Sequence, residues 1–368
     1  MAIVLTAASS ASAHSNCRYF WVVRHGLSSP GSIDELLERA VAAGANGLVV
    51  QVVGRGESYY DSEILPPADF SGFEDPLAYL IMKARPLGLE VHGWVNAFLV
   101  WSSPEEPVSS THVYHEHPEW FTGHISGRSS RDFSPAEAEA AGLVGPALSP
   151  AYPAVRGFIT DVICELAENY SLTGIHLDYI RYPNSSFGYS EGEKERYWND
   201  TGLLPEESSE EWNSWRRRQV TATVETVRAS LNSVAPEMLL SCAVMANPNS
   251  AVNEFFCQWQ NWLDTGLIDL AFPMAYTSSR ERALELAALT TAEHSNKVVY
   301  GIGVWNQSVD NALTGAERAL DRDAAGVCVF SLNSLPAGGE EKLLEFWGRG
   351  TAPEHGVSPA MFNRVVVR

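Results

Sequence analysis

The feature that most constrains the fold is an alternation of short apolar, β-branched runs with segments of helical periodicity between residues 19 and 347. Eight such runs occur, and each is followed by a helical segment or by a loop that leads to one. Because strands that alternate with helices pair in parallel through right-handed crossovers, eight units close into a barrel. The sequence therefore predicts an α/β fold, a (β/α)8 TIM barrel that forms a single domain with long loops after strands 3 and 4. The predicted strands are 19–23, 46–53, 89–98, 174–183, 239–246, 267–276, 297–305 and 326–332.

Two segments interrupt this alternation and are predicted to be loops. Residues 99–150 have no clear period and carry clusters of Ser, Pro, Gly and His, and a second loop follows Pro183. A loop of that length in a compact domain is usually a lid or a binding loop. A capping box at Ser32 and Glu35 is predicted to open the first helix, which runs to Gly44. The other predicted helices are 75–87, 152–170, 206–235, 254–264, 279–293, 310–323 and 338–347.

The two ends of the chain are predicted to lie outside the barrel domain, which spans residues 18–350. Residues 1–13 are apolar or small and end in Ala-Ser-Ala, which is typical of the remnant of a secretory signal peptide. Residues 351–368 are predicted to be a C-terminal tail. No other apolar stretch approaches the ~20 residues that span a bilayer. We therefore expect a protein that is secreted or located in the periplasm or cell envelope, without a membrane span.

The charge balance argues against two classes of partner. The chain has 45 acidic and 25 basic residues and a formal net charge of -20, whereas nucleic acids and anionic membranes both require a basic surface. Its five cysteines are scattered without a Cys-x-x-Cys pair, and it has no phosphate-binding or dinucleotide-binding motif. We therefore expect no nucleic-acid partner, no cofactor and no metal. The oligomeric state stays open.

The central predicted strand, residues 174–183, has the sequence Gly-Ile-His-Leu-Asp-Tyr-Ile-Arg-Tyr-Pro. Successive side chains of a strand point to opposite faces, so Ile175, Leu177 and Tyr179 are predicted to share one face. The other face then carries His176, Asp178 and Ile180. Because an unpaired carboxylate or imidazole is costly to bury, the two ionisable groups are predicted to find partners or to line a cleft.

Polar and aromatic residues recur at the predicted C-terminal ends of the strands, where the sites of such barrels lie. Carboxylates serve as acid, base or nucleophile in glycoside hydrolysis, while rings stack on sugars and amides bind hydroxyl groups. Asp178 is the predicted catalytic carboxylate, and Glu57 is the first choice for a second one, with Glu254 and Asp310 as alternatives. The strand ends also supply Arg24, His25, Asn247, Asn306 and Asn333. The predicted substrate-binding residues are Arg55, His92, Trp94, Asn96, His176, Arg181, Tyr182, Tyr276 and Trp305.

Each of these assignments has a structural alternative. Asp178 could be held in an ion pair with Arg181 or His176, and Glu57 could be a solvated loop acid. His176 could orient Asp178, bind substrate, or be a hydrogen-bonded interior histidine. A metal-dependent deacetylase is a further alternative, built on loop residues whose spacing matches no zinc pattern. Those loop residues are His112, His115, Glu116 and His117.

Six segments of the chain form a recognisable set, namely Phe20-Trp21-Val22-Val23-Arg24, residues 56–62, Glu90-Val91-His92-Gly93-Trp94-Val95-Asn96, His117-Pro118-Glu119-Trp120, residues 174–183 and residues 269–276. Together they resemble the bacterial glycosyl-hydrolase-like family 10 across about residues 18–335. The resemblance implies an exported or envelope-associated barrel hydrolase that acts on glycosidic bonds, with peptidoglycan glycan strands as an associated substrate. It implies Asp178 as the catalytic acid group, with Asn96, Arg181, Tyr182 and Tyr276 as site residues. A likeness to chitinase-type barrels is confined to Met274-Ala275-Tyr276, and Ile180 stands where those enzymes have their catalytic Glu.

The sequence therefore favours a glycoside hydrolase that cleaves glycosidic bonds in a polysaccharide by carboxylate acid/base chemistry. A glycan-binding TIM barrel without turnover is the alternative, since the same rings and amides would bind sugar. The sugar, the linkage and the stereochemical course stay open.

Overall fold

A computed structural model describes residues 16–68, 73–205 and 209–348 of the 368-residue chain. The predicted signal remnant, 1–13, and the predicted tail, 351–368, lie outside the described residues.

Eight parallel strands close into a barrel, which confirms the predicted (β/α)8 fold. Each strand pairs with its neighbours in sequence, and β1 closes the ring by pairing with both β2 and β8. A two-residue strand, Glu57–Ser58, folds back antiparallel onto the end of β2. The barrel strands are β1 Cys17–Val22, β2 Gly47–Gly54, β3 Glu90–Asn96, β4 Gly174–Asp178, β5 Leu239–Met245, β6 Leu270–Met274, β7 Val299–Gly303 and β8 Gly326–Phe330.

Helices surround the barrel and occupy its loops. The described helices are α1 Pro30–Ala42, α2 Pro76–Ala84, α3 Val113–Glu116, α4 Pro135–Ala140, α5 Pro153–Asn169, α6 Glu191–Thr201, α7 Glu210–Val234, α8 Pro248–Asn253, α9 Trp259–Asp264, α10 Arg280–Thr290, α11 Val309–Leu320 and α12 Gly339–Gly348. None of the helices in the described part of the chain has the length and apolar character needed to cross a bilayer.

Two apolar cores follow from the alternation of side chains along the strands. The outer core lies between strands and helices and includes Ile175 and Leu177 of β4. The inner core fills the barrel with Trp21, Trp94 and Phe272, each contributed by a different strand. Because the barrel is packed along its axis, a ligand is expected to bind at the strand ends.

Four local predictions are wrong. The first helix is capped by Ser29, whose side chain accepts a hydrogen bond from the backbone N–H of Ser32, and so it starts earlier than predicted. The predicted helix 254–264 begins later, as α9 at Trp259, and the short helix α8 at Pro248–Asn253 was not predicted. The loop 99–150 contains α3 and α4, and the loop after β4 contains α6. These loop helices were missed because they are short or polar and show no apolar stripe.

A buried carboxylate joins the two long loops on the site side of the barrel. Glu193, in the first turn of α6, accepts hydrogen bonds from Thr122 Oγ1 at 2.9 Å and from the backbone N–H of Gly123 at 3.1 Å. It also accepts from the Ser149 hydroxyl and from the backbone N–H of Ser190 at 2.8 Å. This carboxylate therefore joins the loop after β3 to the loop after β4, alongside backbone hydrogen bonds such as that from the Gly188 N–H to the Gly123 carbonyl at 2.9 Å.

Candidate active site

Asp178 lies at the C-terminal end of β4, where the barrel interior meets the loops. It stands in register with Asn96 at the end of β3, and its side chain is only 9% exposed. The backbone N–H of Tyr179 donates to Asp178 Oδ1 at 2.7 Å, and Arg181 Nη1 lies 3.6 Å from the same oxygen. The carboxyl group is therefore fixed by its own chain and paired with a cation.

The strand alternation stops directly after Asp178. Tyr179 has a φ of +52°, in the left-handed region, so it does not share the outer face with Ile175 and Leu177. Ile180 takes that place in the outer core. The predicted faces are therefore wrong at these two positions, because a left-handed residue reverses the order of the side chains that follow. The turn brings the Tyr179 ring beneath the Arg181 guanidinium, 4.6 Å from the ring centroid.

Burial raises the pKa of Asp178 above its ordinary value. Three contacts act in the opposite direction, namely the charge of Arg181, the Tyr179 N–H and the indole of Trp94, but burial is the largest effect. A carboxyl group in this state holds its proton to higher pH than a solvated aspartate. Such a group suits proton donation to a leaving oxygen.

Aromatic rings lie at the C-terminal ends of β6, β7 and β8. Tyr276, two residues beyond β6, contacts Trp21 at a centroid distance of 6.1 Å and Trp305 at 5.0 Å. Phe330 packs beside Tyr276 at 5.4 Å. Trp305 is 47% exposed, so its ring is open to a ligand that enters the barrel mouth. An exposed indole beside buried rings is a surface on which a sugar can stack.

Asn96 and Trp94, near the C-terminal end of β3, form a hydrogen-bonded pair. The indole Nε1 of Trp94 donates to Asn96 Oδ1 at 2.9 Å. Because that carbonyl oxygen is engaged, the amide NH2 of Asn96 is the part of the side chain left to donate.

Glu57 and Arg55 lie together on the short hairpin that extends β2. Arg55 Nε is 3.8 Å from Glu57 Oε2, and the guanidinium lies 5.1 Å from the Trp101 ring centroid. Arg55 has a φ of +59°, and its carbonyl accepts a hydrogen bond from His112 Nε2 at 2.7 Å. This arrangement places Glu57 at the mouth of the barrel among positive charges.

Three predicted substrate-binding residues are enclosed within the protein. His176 Nε2 accepts from Trp21 Nε1 at 3.2 Å, so its proton is on Nδ1, which donates to Ser241 Oγ at 2.9 Å. Burial holds the pKa of His176 well below its ordinary value, and the ring is neutral. His92 is fully buried near Glu90, and Tyr182 is fully buried against Phe256. A role in binding stays a prediction for these three, while the structure shows hydrogen bonds within the barrel for His176 and ring contacts for His92 and Tyr182.

The loop histidines make contacts of their own and do not converge. His112 Nδ1 accepts from the backbone N–H of Tyr114, and His115 Nε2 donates to the Pro107 carbonyl at 2.7 Å. No group of three potential metal ligands occurs in residues 16–68, 73–205 and 209–348. Of the alternative carboxylates, Asp310 pairs with Lys342 of α12.

The site contains two residues that the list of predicted ligands lacks. Arg24, after β1, donates through Nη1 to Gln51 Oε1 at 3.4 Å, and its pKa is lowered by burial and raised by nearby Tyr59 and Glu57. In the sequence, its position at the end of a predicted strand was the signal that could have identified Arg24 as a site residue. Tyr179 was assigned to the outer face, and no sequence signal marks a left-handed tyrosine. Its pKa is raised to about 12, chiefly by burial and then by the charge of Asp178.

The closed barrel, with a buried acid and an exposed indole ring at its strand ends, has the architecture of a glycoside hydrolase-like TIM barrel. The chain belongs to the family described as Glycosyl hydrolase-like 10, whose sequence profile matches residues 20–317.

Two curated relatives carry the hydrolase name. The chain is 22% identical over 290 residues to glycosyl hydrolase YngK of Bacillus subtilis (strain 168), covering 70% of this chain and 52% of YngK. It is 24% identical over 275 residues to glycosyl hydrolase DigH of Escherichia coli O6:H1, covering 65% of this chain and 56% of DigH. The chain thus spans about half the length of these relatives.

Solved structures share the fold at low identity. The glycoside hydrolase domain of PgaB (BpsB) from Bordetella bronchiseptica aligns with a TM-score of 0.68 and 13% identity, covering 89% of this chain and 98% of that one. The catalytic domain of the β-amylase from Paenibacillus polymyxa aligns with a TM-score of 0.61 and 11% identity, covering 89% and 95%. At these identities the likeness establishes the barrel alone.

Proposed function

We propose that the chain is a glycoside hydrolase that cleaves glycan strands of peptidoglycan, with Asp178 as the general acid. The observation that carries this proposal is the state of Asp178, a carboxyl group whose pKa is raised by burial at the catalytic end of a barrel strand. Its partner Arg181 and the Tyr179 N–H fix the carboxyl group, so that it can face a leaving oxygen without rotating.

Glu57 is the proposed second carboxylate. It lies at the end of β2, two strands from Asp178 around the ring, and it is accompanied by Arg55. A nearby guanidinium favours the ionised form of a carboxylate. Glu57 and Asp178 would then supply the base or nucleophile and the acid that glycoside hydrolysis requires.

The proposed substrate rests on the resemblance of the six segments and on the chemistry of the mouth. Trp305 offers a ring for stacking on a sugar face, and Asn96 offers an amide for a hydroxyl or acetamido group. Peptidoglycan lies outside the cytoplasm, in agreement with a proposed location that is secreted, periplasmic or at the cell envelope. The proposed partner is thus an extended oligosaccharide.

The test is release of reducing ends by the wild-type chain from a panel of glycans. The panel contains peptidoglycan glycan strands with and without stem peptides, chitin oligomers, and plant and algal polysaccharides. Release from peptidoglycan strands and not from the others is the expected result. If no substrate releases reducing ends but glycan binding is retained, the chain is a glycan-binding barrel and the hydrolase assignment is wrong.

Removal of the Arg181 charge should shift the pH profile of kcat/KM toward higher pH. Because the charge of Arg181 lowers the pKa of Asp178, the substitution Arg181→Gln should raise that pKa further. A general acid with a higher pKa stays protonated to higher pH, so the alkaline limb of kcat/KM should move to higher pH. The measurement is the kcat/KM profile of both proteins on the same substrate.

The matched control is Arg218→Gln, which removes an exposed arginine on the outer helix α7. Its profile should overlay that of the wild type. If Arg181→Gln instead moves the acidic limb, Asp178 acts as a base or nucleophile and the assigned role is wrong.

A further inference from the structure

The mouth of the barrel carries an excess of positive charge in a protein that is strongly negative overall. The formal net charge is -20, yet Arg24 and Arg55 are close enough for the charge of Arg55 to lower the pKa of Arg24. Both arginines also lower the pKa of His25. Glu57 is the carboxylate that interacts with both arginines. Two guanidinium groups against one carboxylate leave one positive charge.

Tyr59 makes a side-chain hydrogen bond with each of these guanidinium groups, but the Nε of each has no acceptor among the described residues. Nε of Arg24 and Nε of Arg55 are both shielded from solvent, and among the described residues neither has a hydrogen-bond partner. Glu57 Oε2 lies 3.8 Å from Arg55 Nε, which is beyond hydrogen-bond distance. Buried donors in folded proteins almost always have an acceptor, and a charged donor without one is costly. The two N–H groups therefore indicate an acceptor that the described residues do not supply.

Arg55 is held in place by contacts that do not involve its guanidinium N–H groups. Its carbonyl is fixed by fully buried His112, and its guanidinium lies over the Trp101 ring at 5.1 Å. Gly56, which follows it, has a φ of +66°, and an added Cβ there would lie 2.7 Å from His112 Nε2. The backbone at this hairpin can therefore approach His112 only because residue 56 is glycine.

Arg24 is held in a similar way from the neighbouring strand. Its backbone N–H donates to Gln51 Oε1 at 3.3 Å, and Gln51 is itself buried. Tyr59 interacts with the guanidinium groups of both Arg24 and Arg55. The charge of Asp178 raises the pKa of Tyr179 and the charge of Arg24 lowers it, so Arg24 and the proposed acid Asp178 lie near the same ring. These contacts make the pair a built feature and not two mobile surface arginines.

We propose that Arg24 and Arg55 form a subsite that binds a carboxylate carried by a sugar of the glycan substrate. One carboxylate matches the single positive charge that remains after Glu57, and its two oxygens match N–H groups of guanidinium forks. The subsite determines specificity for acidic over neutral glycans. This inference rests on the proposed function in one respect, namely that the substrate is a glycan.

The experiment measures binding in the absence of turnover and crosses protein variants with ligand variants. Calorimetry on the Asp178→Asn protein compares peptide-free peptidoglycan tetrasaccharide, which carries lactyl carboxylates, with its methyl ester. Oligogalacturonate and its methyl ester form a second pair, which distinguishes a lactyl carboxylate from a uronate. Arg24→Gln and Arg55→Gln are introduced separately on the same background, and Arg218→Gln is the matched control. The unfolding midpoint of each protein verifies that it is folded.

We expect the Asp178→Asn protein to bind the free acid more tightly than the methyl ester. In each arginine variant this ratio of affinities should fall about tenfold or more, as expected for the loss of a charge-assisted hydrogen bond. Arg24→Lys should restore part of the preference, since a lysine keeps the charge but lacks the fork. We call this dependence of the acid-over-ester preference on the arginines the coupling. The ligand pair that shows the coupling, peptidoglycan or oligogalacturonate, identifies whether the carboxylate is a lactyl group or a uronate. A change of less than twofold in both pairs would overturn the subsite. If the coupling is present while the wild type cuts no glycan, the proposed function fails and the subsite stands.

Discussion

Asp178→Asn should lower the rate of glycan hydrolysis by about 10²- to 10⁴-fold, the range that a positioned general acid contributes. The amide that replaces the carboxyl group has no proton to give to a leaving oxygen at accessible pH. Because Asn has nearly the same shape, the Tyr179 N–H keeps an oxygen acceptor at Oδ1. The measurement is the initial rate of reducing-end release from the substrate that the wild type cleaves best.

Two controls separate chemistry from folding in this experiment. Asp161→Asn alters an exposed aspartate on α5 and should leave the rate unchanged. The unfolding free energy of Asp178→Asn should not fall, since it removes a carboxyl group whose ionisation burial already opposes. Retention of most of the activity by a folded Asp178→Asn protein would move the role of acid to another residue.

The barrel could be predicted because its signal is repeated and local. Eight apolar runs separated by helical segments allow few topologies, and each strand lies within a few residues of its predicted position. The strands are buried on both faces, which is why they appear in the sequence as apolar runs. The position of Asp178 at a strand end followed from that framework, and so did its neighbour Asn96.

The depth of a side chain along the barrel axis could not be predicted in the same way. His176 and Asp178 share a face, but they differ by two residues, or about 6.6 Å along a strand. That step takes His176 into the packed interior beside Trp21, whereas Asp178 reaches the loops. Periodicity in the sequence predicts which face of a strand a residue occupies. Its depth along the barrel axis is determined only when the whole barrel closes.

The contacts that shape the mouth are also non-local or depend on unusual backbone angles. Tyr179 and Arg55 both have positive φ, which a sequence announces at glycine and seldom elsewhere. The hydrogen bond of His112 to the Arg55 carbonyl joins positions 57 residues apart. Such pairs arise only when the loops pack, so the arginine pair of the proposed subsite emerges from the structure.

Glu193→Ala should lower the free energy of unfolding by about 3 kcal/mol or more, because it leaves several buried donors without an acceptor. The backbone N–H groups of Gly123 and Ser190 lose their partner outright. The hydroxyl groups of Thr122 and Ser149 lose the oxygen that joins them. Glu193→Gln should recover only part of the loss, since its NH2 group would meet N–H donors. Chemical denaturation followed by far-UV circular dichroism measures the change.

The control lies two residues away on the same helix. Glu191 is 91% exposed and pairs with Lys194 at the surface, so Glu191→Ala should change the free energy of unfolding by less than about 1 kcal/mol. Because Glu193 joins the loops that follow β3 and β4, proteolysis within residues 121–149 should also accelerate in Glu193→Ala and not in Glu191→Ala. Equal stability of the two variants would mean that the loops are held by their apolar contacts and that this carboxylate adds nothing to them.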